Sequence, residues 1–513
     1  MGMKEDSLKT YCNPLPLENY QRGRECNRPG YTGRDFREMA DPTVIKFENR
    51  RYLFPSAGML WHSDDMVNWT HHPVEPFDPG YAPTVVVKGE WLYLSASWDA
   101  SAIWRARHPF GPWEKIGEKG QDADGNPTWL KDQDGNPVCW GDPCLFVDDG
   151  GGMYCYCNLM RPTTSTDKHP WKLIPSEGSV FGVRLRDDDP SRFAGKPQKL
   201  IVFDPSRPWE RMGAYNQRID RPVLEGAWMN KINGRYYLQY SSNGTEQRNY
   251  AIGCFVSDSP LGVFTPQKRN PILIHKGGLV NGCAHHSIVE GPGDSLWCFY
   301  TTLVRIDSRM ERRIGMDPAG IDENGELFVA GPTETPQYGP GVIPNPLDGN
   351  GPGLLPLTVD CHASASSCIE GREPMYAVDN FIRTWWQADG NALPQWLEVD
   401  LEGEFIVQSS RTMFADRGLD YKNNIIPGPY KYRILGSLDG KDWDVLCDQS
   451  RNSVDKHIAF DIWKQQKVKL VRLEILSVPP GMKTSVWEFT VFGYPQFPEN
   501  NKIKDITHEI SRY

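Results

Sequence analysis

Three acidic residues and one histidine occupy comparable places in the first three hundred residues of the chain. Asp41 and Asp142 each follow a small residue and precede a proline, Glu225 precedes a glycine, and His285 stands later in the sequence. Two carboxyl groups can act as general acid and general base if the acid keeps its proton near neutral pH. A third carboxylate beside the acid raises its pKa through its negative charge. The set therefore indicates acid–base hydrolysis, of the kind that cleaves glycosidic bonds.

A metal site is the competing use of these residues, because Ca²⁺ is also held by several carboxylates. The acidic residues are far apart in the sequence, however, and no EF-hand-like loop is present. The chain also has no Gly-rich phosphate loop, zinc motif or Gly-x-Ser-x-Gly motif. Acid–base chemistry is therefore favoured over a metal site. His285 could still hold an ion on the central axis of the fold, or be oriented around one.

The elements that must position these residues repeat five times. Four repeats open with a small or acidic residue and the fifth with His285; each continues with a short strand-like run and a polar turn, and ends in an aromatic strand. The repeats are 41–54, 82–94, 142–156, 225–238 and 285–299. A third strand with a Pro-x-Gly-x-aromatic corner recurs at 103–113 and 252–264. Four antiparallel strands repeated five times predict a five-bladed β-propeller.

The first strand of each propeller blade lines the central axis, so the residues that open these strands should meet at one mouth. These residues are Asp41, Ala82, Asp142, Glu225 and His285. Three carboxylates and an imidazole make a poor core but a good candidate active site.

Composition excludes several other classes of protein. The 513 residues include 56 basic and 66 acidic side chains, for a net charge of −10, which argues against a nucleic-acid partner. No apolar run approaches the roughly 18 residues that a membrane-spanning helix requires. The length predicts two to four domains, and the 48 glycines and 42 prolines are typical of short strands with frequent turns.

The twelve cysteines show no spacing typical of a metal site and are interpreted as structural or free thiols. The first residues contain no apolar segment of the kind found in signal peptides. Together these features favour a cytoplasmic location, or secretion if a leader has been removed.

The pocket residues resemble those of glycoside hydrolase family 43, a family of inverting arabinofuranosidases and β-xylosidases. The resemblance is carried by Ala-Asp-Pro around Asp41, Gly-Asp-Pro around Asp142, and a Glu-Gly-Ala-Trp string that begins at Glu225. That string continues to Asn-Gly-Arg-Tyr-Tyr-Leu-Gln-Tyr-Ser, and the resemblance covers about residues 10–335. It implies Asp41 as general base, Asp142 as modulator of the acid's pKa, and Glu225 as general acid. His285 resembles the axial histidine, near a cation or ordered water, with His286 as the adjacent alternative.

Further substrate-binding candidates are basic and aromatic. Arg312 or Arg313 resembles the arginine that the family contributes to its substrate pocket. Trp61, Trp98 and Trp228 could stack on the apolar face of a sugar ring, although most of the 18 tryptophans must pack between blades.

A second domain is predicted after a Pro- and Gly-rich linker at 336–356, with the propeller at 1–335 before it. Alternating apolar and polar runs at 357–495 predict a β-sandwich, and a charged tail follows at 496–513. The sandwich resembles a discoidin, or factor 5/8 type C, domain of the family 32 carbohydrate-binding-module type. The motifs are Ala-Val-Asp-Asn, Thr-Trp-Trp, Gly-Ser-Leu-Asp-Gly-Lys-Asp-Trp and Trp-Glu-Phe-Thr-Val-Phe-Gly.

Domains of this type commonly hold one structural calcium ion. The resemblance places its ligands at Asp379, Thr384 and Glu488, and no cofactor is expected for the chemistry itself. Either sugar binding or packing on the propeller would account for the sandwich.

The sequence thus predicts an all-β, exo-acting, inverting glycoside hydrolase that removes a terminal α-L-arabinofuranosyl, β-D-xylosyl or related unit from an oligo- or polysaccharide. Inversion requires roughly 6.5–9.5 Å between the two carboxyl groups, against about 5–5.5 Å for retention. The alternatives are a non-catalytic carbohydrate-binding propeller with a sugar-binding sandwich, and a lyase or transferase on the same scaffold.

Overall fold

The computed structural model describes residues 9–56, 58–73, 80–97, 101–121, 125, 127–159, 178–220, 222–275, 277–304 and 306–495. Trp98 and the predicted tail at 496–513 lie outside these residues. Every helix in the described residues is a short 3₁₀ segment, and none is long and apolar enough to cross a membrane. These segments are Arg24–Asn27, Pro208–Glu210, Pro292–Asp294, Pro374–Ala377 and Tyr421–Asn423.

The chain divides into two compact units, and the division falls at Pro352 and Gly353, inside the predicted linker. The first unit also takes in Gly418–Pro427 and Val454–Ile458. No disulfide links the twelve cysteines, all of which are described.

Five four-stranded antiparallel sheets follow one another in the first unit, and we number them blades I to V. Their strands, from first to fourth, are Thr43–Phe47, Arg50–Phe54, Met59–Ser63 and Thr70–Pro73 in blade I; Tyr81–Lys88, Trp91–Ser97, Ile103–Ala106 and Glu114–Ile116 in blade II; Trp140–Val147, Met153–Leu159, Ser179–Arg184 and Gln198–Val202 in blade III; Leu224–Ile232, Arg235–Ser242, Ala251–Ser257 and Thr265–Pro266 in blade IV; and Ala284–Glu290, Leu296–Leu303, Arg312–Ile321 and Leu327–Val329 in blade V.

The blades close into a ring. The first strands of neighbouring blades contact one another from I to V, and the first strand of blade V contacts that of blade I. The predicted five-bladed propeller is therefore confirmed. In the described part of the first unit, four short antiparallel pairs lie outside the blades: Thr10–Tyr11 with Gln337–Tyr338, Gln21–Arg22 with Arg37–Glu38, Gly120–Gln121 with Pro127–Thr128, and Leu130–Lys131 with Pro137–Val138.

A left-handed backbone conformation recurs where each first strand opens. The φ angles there are 55° at Asp41, 47° at Ala82, 45° at Asp142, 54° at Gly226 and 43° at His285. Register shifts accompany this conformation in blades II to V, as expected for a β-bulge that redirects side chains. Four of the five positions carry a Cβ, which makes the left-handed region unfavourable by roughly 1–2 kcal/mol per residue. The ring therefore holds strained residues at its mouth, as functional sites commonly do.

Hydroxyl groups at the ends of the second strands brace these strained positions. Each accepts the backbone N–H of the residue that opens the next blade: Ser56 from Ala82, Ser97 from Asp142, Ser241 from His285, and Thr301 from Asp41. At the junction of blades III and IV the corresponding residue is Asn158, which pairs with Gly141. There the N–H of Gly226 donates to Oδ2 of Asp142 instead, at 3.3 Å. One of the five braces is thus made by a pocket carboxylate.

The described residues of the second unit form one eight-stranded sheet. Its strands are Leu355–Pro356, His362–Ala365, Trp386–Gln387, Gln395–Phe414, Lys431–Ser437, Asp444–Asp448, Ile458–Ser477 and Ser485–Pro495. The last strand pairs with the long strand Gln395–Phe414, whose final residues are buried on every position. Its buried side chains include Trp386, Trp487 and Phe489.

Replacement of Ala82 by glycine tests the strain at the blade openings. Because Ala82 has a φ of 47°, Ala82→Gly should raise the free energy of unfolding by about 0.5–1 kcal/mol in urea denaturation. Ala96→Gly, within the second strand of blade II, is the matched control and should lower it. Equal destabilisation by both changes would show that Ala82 is not strained.

Candidate active site

Asp41 is a buried carboxylate surrounded by donors. Its Oδ2 accepts from the hydroxyl of Ser56, its Oδ1 accepts from Nη1 of Arg312 at 3.1 Å, and Nδ1 of His285 lies 3.3 Å from Oδ1. Burial alone would raise the pKa of Asp41, but Arg312, His285 and Ser56 outweigh it and lower the pKa below its usual value. Asp41 is therefore ionised at neutral pH, as a general base must be.

Arg312 is enclosed by acceptors and is 3% exposed. Its Nε and Nη2 donate to Oε1 of Glu38, and its Nη1 donates to the hydroxyl of Thr245 at 3.0 Å as well as to Asp41. Burial opposes the charge of Arg312, but Asp41 and Glu38 outweigh that effect and raise its pKa. The hydroxyl of Tyr81 lies 3.4 Å from Oε2 of Glu38. The guanidinium thus serves as a fixed counter-charge to Asp41.

Glu225 has the opposite electrostatic surroundings. Burial and then the negative charge of Asp142 raise its pKa to about 8, with smaller contributions from Glu246 and Asp41. The hydroxyl of Tyr250 donates to Oε1 at 2.8 Å and lowers the pKa only in part. Glu225 therefore carries a proton at neutral pH, as a general acid must.

Asp142 is held beside the acid. Its Oδ1 accepts from the hydroxyl of Ser97 at 2.8 Å, and its Oδ2 accepts from the N–H of Gly226, the residue after Glu225. The Nδ1 atom of His285 is 4.0 Å from Oδ2. Asp142 is thus fixed by the backbone beside Glu225, where its charge acts on the acid.

His285, and not His286, faces the carboxylates. His286 is fully buried, its Nε2 lies 3.3 Å from Oε1 of Gln239, and burial lowers its pKa to about 3. A Cβ at Gly226 would stand 3.0 Å from the His285 ring, so glycine is favoured there by space as well as by its φ of 54°.

The arrangement places an ionised carboxylate and a protonated carboxyl group in one buried pocket, with a third carboxylate tuning the acid. Two carboxyl groups whose pKa values are driven apart are the general requirement for acid–base cleavage of a glycosidic bond. The sequence predicts Glu225 as the residue that opens blade IV. In the structure, the residue that occupies the position of Asp41 and Asp142 in their blades is Gly226. The acid therefore comes from the preceding residue.

Several predicted binding residues lie elsewhere. Trp61 is fully buried in the core beside Trp297, and its Nε1 donates to the backbone oxygen of Glu18, so it cannot stack on a sugar. Trp228 is half-buried, packs in the core and donates to the backbone of the first strand of blade V. Arg313 is 1% exposed and donates to two backbone oxygens, so Arg312 alone reaches Asp41. The prediction for Trp98 falls outside the described residues.

Some pocket residues were missed by sequence reasoning. Ser56 and Ser97 carried a signal, because each lies within two residues of the end of the second strand of its blade, as Ser241 does. Glu38 and Tyr250 carried none, since they lie in segments that do not repeat.

The predicted metal ligands are only partly brought together. The hydroxyl of Thr384 donates to Oδ2 of Asp379 at 2.8 Å, and Glu488 is fully buried on the last strand. Within the described parts of the chain, no three or more His, Cys, Asp or Glu side chains form a group that could hold a metal ion. The cation proposed at His285 stays a prediction.

Comparison with known proteins places these residues in a family. Residues 37–326 match glycosyl hydrolases family 43, and residues 362–489 match the F5/8 type C domain. Xylosidase/arabinosidase 43A of Humicola insolens is 28% identical over 305 residues, which cover 51% of this chain and 86% of that protein. A β-D-galactofuranosidase of Aspergillus niger is 26% identical, with 56% of this chain and 81% of that protein covered.

A thermostable family-43 glycoside hydrolase of known structure is 22% identical to this chain, with a TM-score of 0.48. The match covers 64% of this chain and 99% of the other. The family 43 match itself spans more than half of the 513 residues and includes every pocket residue from Glu38 to Arg312. The chain therefore belongs to glycosyl hydrolases family 43, and it carries an F5/8 type C domain after the family 43 region.

Proposed function

We propose that this glycoside hydrolase is an exo-acting, inverting enzyme that removes a terminal α-L-arabinofuranosyl or β-D-xylosyl unit, or a related one, from an oligo- or polysaccharide. The observation that carries the proposal is the opposite protonation of two carboxyl groups of one pocket at neutral pH: the pKa of Asp41 is lowered, and that of Glu225 is raised to about 8. The names of the family 43 relatives, which include xylosidase, arabinosidase and β-D-galactofuranosidase, support this group of sugars.

In the proposed mechanism, Asp41 accepts a proton from a water molecule while the oxygen of that water attacks the anomeric carbon. Glu225 at the same time donates its proton to the glycosidic oxygen, and the bond between that oxygen and the anomeric carbon breaks. Tyr250 donates to Oε1 of Glu225, which leaves Oε2 to carry the transferred proton. Asp41 ends protonated and Glu225 ionised, and proton exchange with solvent resets both groups.

Arg312 and Asp142 would act on opposite members of this pair. Arg312 holds Asp41 ionised until water binds, and Asp142 keeps Glu225 protonated through its negative charge. A propeller that only binds carbohydrate has no use for a pocket carboxyl group with a raised pKa. This argument favours catalysis over the binding-only alternative.

We propose one structural calcium ion in the F5/8 type C domain, with Asp379, Thr384 and Glu488 as its ligands. Carboxylate and hydroxyl oxygens are the donors that Ca²⁺ prefers. The hydrogen bond between Thr384 and Asp379 brings two of these donors within reach of one ion. The ion would cross-link the loop around Asp379 to the last strand and take no part in the chemistry.

Substitution of the two proposed catalytic residues tests the function. A panel of 4-nitrophenyl α-L-arabinofuranoside, β-D-xyloside, β-D-galactofuranoside and β-D-galactoside should contain at least one substrate of the wild type. Asp41→Asn should lower kcat on that glycoside by about 10²–10⁴-fold, because no base is left. Glu225→Gln should lose a similar factor on an oligosaccharide of the same sugar, but less on the nitrophenyl glycoside, whose leaving group needs little protonation.

Unchanged turnover in Asp41→Asn or Glu225→Gln would contradict the assignment of the two roles. Oligosaccharide binding without turnover of any glycoside by the wild type would favour the binding-only alternative.

The pH dependence of kcat/KM separates the groups that tune the acid. Activity should fall on the basic side near pH 8, as Glu225 loses its proton, and on the acidic side only below the usual range of a carboxyl group, where Asp41 is protonated. Asp142→Asn should move the basic limb to lower pH, because a neighbouring negative charge is removed. Tyr250→Phe should move it to higher pH, because the ionised form loses a donor.

Tyr240→Phe is a matched control for Tyr250→Phe, since Tyr240 is also buried in blade IV but donates to Glu210. Its profile should coincide with that of the wild type. If the basic limb moved in the same direction in Asp142→Asn and in Tyr250→Phe, this electrostatic account would be ruled out.

Removal of calcium tests the second proposal. Treatment with EDTA should lower the unfolding temperature of the wild type, and added Ca²⁺ should restore it, because an ion bound only to the folded state stabilises it. Asp379→Asn should lower the unfolding temperature without EDTA and abolish the response to Ca²⁺. If EDTA left the unfolding temperature of the wild type unchanged, the calcium site would be refuted.

A further inference from the structure

Tyr215 is exposed to an unusual degree for this part of the molecule. Within the described residues of the propeller it is the one aromatic side chain that is largely exposed, with 77% of its surface accessible. Ile219, four residues later, is 61% exposed. A single exposed apolar side chain is common on proteins, so its surroundings must decide whether it has a role.

The turn that presents Tyr215 is held firmly. The backbones of Met212 and Arg218 exchange hydrogen bonds of 2.8 and 3.0 Å across its base. The side-chain amide of Asn216 donates to two backbone oxygens in 209–211, at 3.1 and 2.8 Å. Tyr215 is thus exposed on an ordered turn, which reduces the entropy lost when a ligand binds to it.

This turn rests on the segment 243–250. The side-chain amide of Asn243 donates to the backbone oxygen of Gly213 at 3.2 Å, and that of Asn249 donates to Oδ1 of Asn216. The guanidinium of Arg248 lies over the Tyr215 ring, 5.5 Å from its centroid. An aromatic ring with a guanidinium against it combines an apolar face with several hydrogen-bond donors.

Both segments adjoin the proposed general acid. Leu224 pairs with Ser242, so the turn before blade IV and the segment 243–250 leave the blade at the end that holds Glu225. Tyr250, at the end of that segment, donates to Glu225. The acid must touch the glycosidic oxygen, which departs with the leaving sugar, so that sugar lies on the blade IV side of the pocket.

We propose that Tyr215 and Arg248 form a binding platform for the sugar units on the leaving-group side of the cleaved bond. The ring of Tyr215 would stack on the C–H face of a sugar, and Arg248 would donate to its hydroxyl groups. The platform rests on the proposed function, because Glu225 fixes where the leaving oxygen stands. It would make the enzyme favour oligosaccharides over substrates that have no sugar as leaving group.

The test compares two substrates of the sugar that the nitrophenyl panel identifies: its glycosyl fluoride and its tetrasaccharide. Tyr215→Ala and Arg248→Met should each lower kcat/KM for the tetrasaccharide about tenfold, mainly through KM, as expected for one lost aromatic contact and one lost hydrogen bond from a charged donor. Both variants should hydrolyse the fluoride as the wild type does. Tyr215→Phe should keep most of the tetrasaccharide activity.

Val263→Ala is the matched control, because Val263 is 85% exposed on the turn after Ser257, at the other end of blade IV. Val263→Ala should leave kcat/KM unchanged for both the fluoride and the tetrasaccharide. Equal losses on fluoride and tetrasaccharide in Tyr215→Ala, or no loss on either, would overturn the platform.

Binding to inactive protein separates the platform from the proposed function. In the Glu225→Gln background, the added Tyr215→Ala change should weaken tetrasaccharide binding about tenfold in calorimetry, as expected for one lost aromatic contact, and leave monosaccharide binding unchanged. Unchanged tetrasaccharide binding would overturn the platform. A wild type that cleaves neither substrate would instead refute the proposed function, whatever the calorimetry shows.

Discussion

The separation of charge among three carboxyl groups that share one site is the constraint on which the pocket depends. Negative charges that share a desolvated site repel one another, so not all of them can be ionised without a counter-charge. The counter-charge is the guanidinium of Arg312, which is bound to Asp41 and not to Glu225. Asp41 is therefore held ionised while Glu225, beside Asp142, keeps its proton. The position of one arginine thus distinguishes base from acid.

The propeller supplies the geometry that this separation needs. Left-handed residues at the blade openings redirect the side chains of Asp41, Asp142 and His285, and hydroxyl groups from the preceding blades bind their backbone N–H groups. Blade IV departs from this pattern in two connected ways. Its left-handed residue is Gly226, which leaves the preceding Glu225 as the acid, and the N–H of Gly226 binds Asp142. The modulator is thereby tied to the backbone beside the acid it modulates.

Sequence reasoning predicts the repeated features of this protein well. The five repeats define the blades, and the residues that open them identify Asp41, Asp142 and His285, because a propeller brings equivalent positions to one axis. It fails where a role depends on packing between segments that do not repeat. Trp61 and Arg313 look like suitable ligands by type, but the fold buries both in the core. Glu38 and Tyr250 show no pattern in the sequence. The closed ring brings Glu38 to Arg312, and strand pairing within blade IV brings Tyr250 to Glu225.

The protonation state of Glu225 at neutral pH can be measured directly by infrared difference spectroscopy of the unliganded protein. The account predicts a carbonyl band of a protonated carboxyl group that is present at pH 7, disappears in Glu225→Gln, and titrates near pH 8. Absence of that band at pH 7, or its titration in the usual range of a glutamate, would contradict the claim that this pocket holds one carboxyl group neutral beside an ionised one.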